Sequence, residues 1–285
     1  MKTTKKNNIT KNNIRTLKNI KNIRNILKKT TRKIEEYYTG NFSEILLNML
    51  YLLKTYPKKL CLIGPNRPGN ITNSVALQWK SNYYKKYYIQ YPGGKQNFLN
   101  QLSKCKKRFV IVPIFLFLEN NQKLGHANIL IFDLKNNSIE RFEPYGSLED
   151  IYSLEEQKRS SKFDVEFKKD LKKTGKKFKY IPSNKFCPNI NVQSREENNL
   201  NNGFKTRKIK QDPEGYCSVW IIWYAHLKLK YPDLDSKNLL LKSMELLENN
   251  PHSLRSFIRK YGNFLKLNKI NNKTAYKLLL TKIYN

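Results

Sequence analysis

The apolar positions change period along the chain, and the expected elements change with them. Near the N-terminus Ile14, Leu17, Ile20, Ile23, Ile26 and Leu27 step mostly by three, close to one face of a helix. Ile45, Leu46, Leu47, Met49, Leu50, Leu52 and Leu53 predict a helix within 35–56, and Pro57, Pro65, Gly69 and Asn70 then mark loops. The middle reads as β-structure. Residues 109–118 form a near-continuous apolar run suited to a buried strand. Residues 128–134 are a second run, 138–142 alternate, and Lys135-Asn136-Asn137 predicts the hairpin turn between them. Residues 155–180 turn basic and polar and read as a solvated insertion, with a helix as one form open to it, and 198–202 read as a loop. From Cys217 an apolar segment through Trp220, Ile221, Ile222, Trp223, Tyr224, Ala225 and Leu227 predicts a buried helix to about residue 230, which Pro232 helps to stop. Two more helices are expected, near 236–248 and 252–265.

Composition makes a packed core possible and adds a strong field. The 285 residues are 39% hydrophobic and 12% aromatic, which excludes wholesale disorder. The 55 Lys and Arg against 22 Asp and Glu leave a formal charge of +33, which attracts polyanions, nucleic acid first among them. Residues 1–33 carry twelve of those cations and no acid, so they read as a basic arm, helical and amphipathic or folding on a partner. Non-specific DNA or RNA contact is expected through this arm, and its amphipathic character also suits a membrane surface. The run Tyr83-Tyr84-Lys85-Lys86-Tyr87-Tyr88 interleaves aromatics with lysines, as an amphipathic surface segment or a base-stacking surface would. The longest apolar run is broken by Pro113 and falls well short of the roughly 20 residues a spanning helix needs, so no transmembrane segment is expected. Cys61, Cys105, Cys187 and Cys217 form no CxxC pair and no zinc pattern with the three histidines, so no metal or other cofactor is expected. No secretory signal opens the chain, and free thiols in a reducing compartment follow.

Four residues carry candidate chemistry. His126, after Gly125, leads a strand-like run; Glu143 ends the next strand; Gln211 lies six positions before Cys217, which opens the buried helix. A cysteine attacks as thiolate, and an ordinary thiol, with a pKa of ~8.5, is mostly protonated at neutral pH. A helix start and a neighbouring imidazolium both favour the anion. In such a set His126 is the general base, Glu143 orients its imidazole, and the Gln211 carboxamide with the Cys217 backbone N–H forms an oxyanion hole. Asn128, two residues after His126 and on the same side of a strand, is a further polar candidate. Pro92-Gly93-Gly94-Lys95 reads as a turn.

Gly125-His126, the strand after it, Glu143 at the end of the next strand, and Gln211 followed by Gly215-Tyr216-Cys217 resemble the cysteine proteases that include adenovirus protease (adenain) and the SUMO proteases, over roughly 108–230. The resemblance implies an α+β fold: a central mixed or antiparallel β-sheet flanked by helices, with the basic helical arm outside it. It implies the order His126, Glu143, Gln211, Cys217 for base, orienting acid, oxyanion donor and nucleophile. A glutamate as the acid is closer to adenovirus protease, whereas Ala127, Tyr216 and Ser218 depart from the SUMO-protease pattern. With the Lys/Asn/Ile bias, the chain is similar to proteases of large DNA viruses, which implies protein substrates such as Gly-Gly-containing precursors, and a place in the virion and at the assembly site in the host cytoplasm. Desumoylation or deubiquitination, protein acetyl transfer, and a basic nucleic-acid-binding virion protein without catalysis stay open. The expected organisation is an arm over 1–40 and a protease domain over 41–285, with its core at about 108–230, a basic insertion at about 150–205 and C-terminal helices over 233–285.

Overall fold

The computed structural model describes residues 42–64, 75–81, 87–118, 121–146, 154–173, 175–186, 192–201, 216–248 and 254–268. In chain order the elements are α1 (Phe42–Thr55), β1 (Leu60–Cys61), β2 (Leu77–Ser81), β3 (Tyr87–Gln90), α2 (Lys95–Lys104), β4 (Phe109–Leu118), β5 (Asn121–Asp133), β6 (Ser138–Phe142), α3 (Leu154–Lys172), β7 (Lys179–Ile181), α4 (Ser183–Phe186), α5 (Val192–Asn201), α6 (Cys217–Lys230), α7 (Ser236–Glu248) and α8 (Leu254–Leu267). The basic arm lies outside the described residues, as do Cys187 and Gln211.

The sheet runs β3-β2-β4-β5-β6-β7, with β1 also paired to β4. Pairings of β4 with β1 and β2, and of β6 with β7, are parallel; the rest are antiparallel, so the sheet is mixed and the fold is α+β. Strands β1 and β2 lie upstream of residue 108, so the sheet draws on more of the chain than the site motifs span. Pro113 brings no N–H to a ladder, and it sits where one flank of β4 passes from β1 to β2. The 135–137 turn forms as expected, with Asn137 at φ 48° and the Asp133 carboxylate accepting from the Lys135 and Asn136 N–H groups.

Strand alternation sends side chains to two cores. Phe109, Ile111 and Phe115 of β4 and Ile129 and Ile131 of β5 pack with α1, α5, α6, α7 and α8. Val110, Val112, Ile114, Leu130 and Phe132 pack on the other side with Phe98 and Leu102 of α2 and Phe163, Phe167 and Leu171 of α3. Helix α6 is apolar around its circumference because it is buried around its circumference. Three expectations change here. The 155–180 stretch is no solvated insertion: α3 is basic outside, but the spacing of Phe163, Phe167 and Leu171 gives it a fully buried stripe. Residues 198–201 continue α5 instead of forming a loop. Cys61 and Cys105 are disulfide-bonded, with Cα atoms 6.2 Å apart. Cys105 ends α2 just before β4, and β1 lies parallel to the start of β4, so the topology joins two thiols whose 44-residue separation carries no local signal. The free-thiol expectation is corrected for this pair, and the argument for a reducing compartment loses its basis.

His226 of α6 is enclosed by Tyr51 and Tyr56, and its Nδ1 pairs with the Tyr261 hydroxyl at 3.0 Å. Burial, and secondarily Lys230 a turn away, push its pKa down to about 4. An unfolded chain therefore takes up a proton at this residue between pH 6.5 and 4 that the folded chain refuses. The stability this neutral imidazole contributes is present above pH 6.5 and falls as pH drops toward 4, by up to roughly 3 kcal/mol. Urea midpoints of the wild type and of His226→Phe, compared across pH 4–7, are expected to show a flatter acid slope in the variant; parallel slopes would contradict this.

Candidate active site

Three elements deliver one side chain each to the same end of the sheet. His126 lies on β5, opposite Leu116 of β4. β6 runs antiparallel to β5, so its C-terminal end, followed at once by Glu143, lies beside the part of β5 that carries His126. Cys217 is the first residue of α6, which packs across β5. Tyr216 caps α6 without a side-chain hydrogen bond to it; its carbonyl accepts the N–H groups of Val219 and Trp220, while its side chain takes none of those at the helix start.

Within this end of the sheet the imidazole is held on both sides. His126 Nε2 is hydrogen-bonded to Glu143 Oε1, and the Cys217 side chain lies close enough to the ring to act on it electrostatically and by hydrogen bonding. Burial alone disfavours the imidazolium, but the Glu143 carboxylate and Cys217 outweigh it and push the His126 pKa up to about 10. A positive imidazole between a carboxylate and a sulfur is the charge distribution a thiolate–imidazolium pair requires. The Glu143 carboxyl is fully buried; Oε1 also accepts the Tyr145 N–H at 3.1 Å, and Oε2 has no hydrogen-bond partner among the described residues.

Beside the line Glu143–His126–Cys217, other groups fix its parts. The Tyr145 ring lies against the His126 ring, with centroids 4.9 Å apart, and its hydroxyl accepts from Gln193 Nε2 at 2.9 Å. Glu143-Pro144-Tyr145-Gly146 is a turn closed by the Gly146 N–H on the Glu143 carbonyl at 2.9 Å, and Gly146 at φ 74° takes the left-handed conformation such a turn needs. Glu140, on the preceding strand, accepts from the Tyr224 hydroxyl of α6 at 3.0 Å and from the Ser236 hydroxyl, so β6 and α6 are tied to each other through their polar groups as well as their apolar faces. The structure thus brings together His126, Glu143 and Cys217, whereas Gln211 falls outside the described residues. Asn128 serves the scaffold instead: it is buried, and its Oδ1 accepts from Arg141 Nε at 2.9 Å. Arg141 continues to Asp164 at 2.9 Å and to Ser160 on α3, fastening that helix beneath the site.

Reasoning from sequence missed Tyr145, Gln193, Glu196 and Arg255. The sequence marks Glu143 as the end of a strand and gives Pro144, Tyr145 and Gly146 after it no role. Nothing local marked Glu196 and Arg255, which form a fully buried ion pair from α5 and α8 beside Tyr216.

No family model matches this chain. A protein of Acanthamoeba polyphaga mimivirus, named as an ankyrin repeat protein, is 29% identical over 266 residues, 82% of this chain and 33% of its own length. The chain therefore spans about a third of the length of the curated relative it matches. Among solved structures it is similar to ChlaDub1 of Chlamydia trachomatis, with a TM-score of 0.41 and 12% identity, covering 83% of this chain and 96% of that one. It is also similar to the Chlamydia abortus effector ChlaDUB, with a TM-score of 0.32 and 12% identity over 81% of this chain and 99% of that one. The SUMO protease Ulp1 has a TM-score of 0.34 and 15% identity, covering 88% of this chain and 96% of that one.

Proposed function

We propose that this chain is a cysteine endopeptidase that cuts protein substrates through Cys217, His126 and Glu143. The observation that carries the reading is the hydrogen-bonded line from a buried carboxylate through one imidazole to a thiol at a helix N-terminus, assembled from three separate elements. In this reaction the Cys217 sulfur attacks the scissile carbonyl carbon, and the negative oxygen that develops faces the N–H groups at the start of α6. The C–N bond breaks as His126 gives its proton to the leaving amine, leaving a thioester on Cys217. His126 then takes a proton from water, whose oxygen attacks the thioester; the acid product leaves and the thiolate is restored. Gln211 is expected to complete the oxyanion site.

Protein precursors of a large DNA virus are the substrates we assign, with maturation of the virion as the setting. The mimivirus source of the relative supports the viral setting, and the charge of +33 suits a protein kept near packaged nucleic acid. The test uses the purified chain and its Cys217→Ala variant, incubated with Gly-Gly-containing virion precursors and with ubiquitin or SUMO conjugates. Cleavage of a precursor by the wild type alone is the expected result; cleavage of conjugates only would move the substrate class to ubiquitin-like proteins. A thiol-alkylating probe should label Cys217 rapidly and label it at least tenfold more slowly in His126→Ala. Equal labelling rates would remove the catalytic pairing itself.

A further inference from the structure

On the side of the sheet away from α6, two grooves meet at Lys95. The first, of about 440 Å³, lies between α2 and the end of α3; Lys95, Lys173 and Lys176 line it with Gln96, Asn100 and Ser103, and no acid is among its described lining residues. The second, of about 580 Å³, runs along β3 and carries Tyr87, Tyr88 and Tyr91. Glu166 and Asp170 are part of the lining of this second groove, and both are engaged. Asp170 accepts from Lys95 and from the Tyr91 hydroxyl, and lies 3.9 Å from Lys173; Glu166 pairs with Lys169 at 2.7 Å. Around it Lys168, Lys172, Lys177 and Lys179 are exposed, so positive charge outnumbers negative along the whole of α3's outer end. Tyr88 is 45% exposed, among the few large apolar side chains presented to solvent in the described residues, and Lys162 sits over the neighbouring Tyr87 ring at 5.4 Å.

We propose that this track binds single-stranded nucleic acid, with phosphates along Lys95, Lys173 and Lys176 and a base stacked on Tyr88. A cationic groove alone suits any polyanion. A cationic groove leading onto an exposed aromatic ring suits a strand whose bases are free to stack. The contacts ask for no particular sequence, and the track lies across the sheet from the helix that carries Cys217. Occupation therefore leaves the thiol open, and the inference stands whether or not the chain is a protease.

The test is fluorescence anisotropy of a labelled twelve-nucleotide oligothymidylate with the full chain, between 50 and 200 mM salt. Lys173 and Lys176 are exposed, so their replacement spares the fold. Lys173→Ala/Lys176→Ala is expected to reduce the slope of log K against log salt by about 1.4, since each phosphate contact on a single strand contributes ~0.7. Tyr88→Ala is expected to weaken binding roughly 5- to 150-fold with the slope retained, the signature of lost stacking. The proposal is overturned if the wild type does not bind, or if the double variant keeps the wild-type slope, which would put the contact on the basic arm. It is overturned equally if Tyr88→Ala binds like the wild type while phosphatidylserine vesicles compete as well as the oligonucleotide, which would make the track a membrane-facing surface.

Discussion

Glu143→Gln is expected to lower kcat/KM by on the order of 10²–10⁴-fold and to bring its alkaline limit down from about pH 10 toward the neutral range. Peptide cleavage by a thiolate needs a protonated imidazole for the leaving amine, so activity through the Cys217–His126 pair persists until His126 loses its proton. Burial works against that proton. Glu143 is the largest influence that retains it, with Cys217 adding to the same effect. Glutamine keeps the size of the side chain but not its charge, so the imidazole falls back toward its ordinary range and burial is then less opposed. The alkylation rate of Cys217 as a function of pH reports the same titration without any substrate. Its alkaline inflection should move down with that of kcat/KM in Glu143→Gln, and His126→Ala should remove it. A variant that loses turnover while its limb stays near pH 10 would show that Glu143 acts only by holding structure.

The pieces of this site were legible to different degrees, for physical reasons. His126, Glu143 and Cys217 could be read because each sits where a hydrophobic pattern ends or begins, and such boundaries are local. Strands β4 and β6, the second half of β5 and helix α6 followed from apolar runs that the structure buries, whereas β1, β2, β3 and β7 have two to five residues each and leave no such run. What remained hidden depends on contacts between distant segments. The Cys61–Cys105 bond requires knowing that β1 lies parallel to β4. The buried stripe of α3 was masked by lysines, because Phe163, Phe167 and Leu171 are outnumbered in any window average even though their spacing puts them on one face. Tyr145 carries no signal of its own in the sequence, because its part in the site is the packing of its ring against His126.

The largest effect on stability is expected at Glu196 and Arg255, which no sequence pattern distinguishes from surface charges. Both are almost completely inaccessible, and their carboxylate and guanidinium are paired directly. Glu196 Oε2 also accepts the Trp220 indole N–H at 3.2 Å, and the Arg255 guanidinium lies 4.6 Å from the centre of the Tyr216 ring. The Tyr216 carbonyl in turn accepts the N–H groups of Val219 and Trp220 at 2.9 Å, the bonds that start α6. The pair therefore braces the turn that presents Cys217. Glu196→Ala removes the carboxylate from a buried arginine, and Arg255→Met removes the guanidinium from a buried carboxylate; each is expected to cost roughly 3–5 kcal/mol, a large part of the stability of a single domain. Two uncharged groups in that space strand no charge, so Glu196→Met/Arg255→Met should recover most of the loss, and urea denaturation of the four proteins measures both effects. Recovery of stability need not restore the site, because the methionines replace neither the acceptor for Trp220 nor the cation over Tyr216. Cys217 alkylation is accordingly expected to stay slower in the double variant than in the wild type. Single variants that each lose less than about 1 kcal/mol would mean that the pair is solvated and does not brace α6.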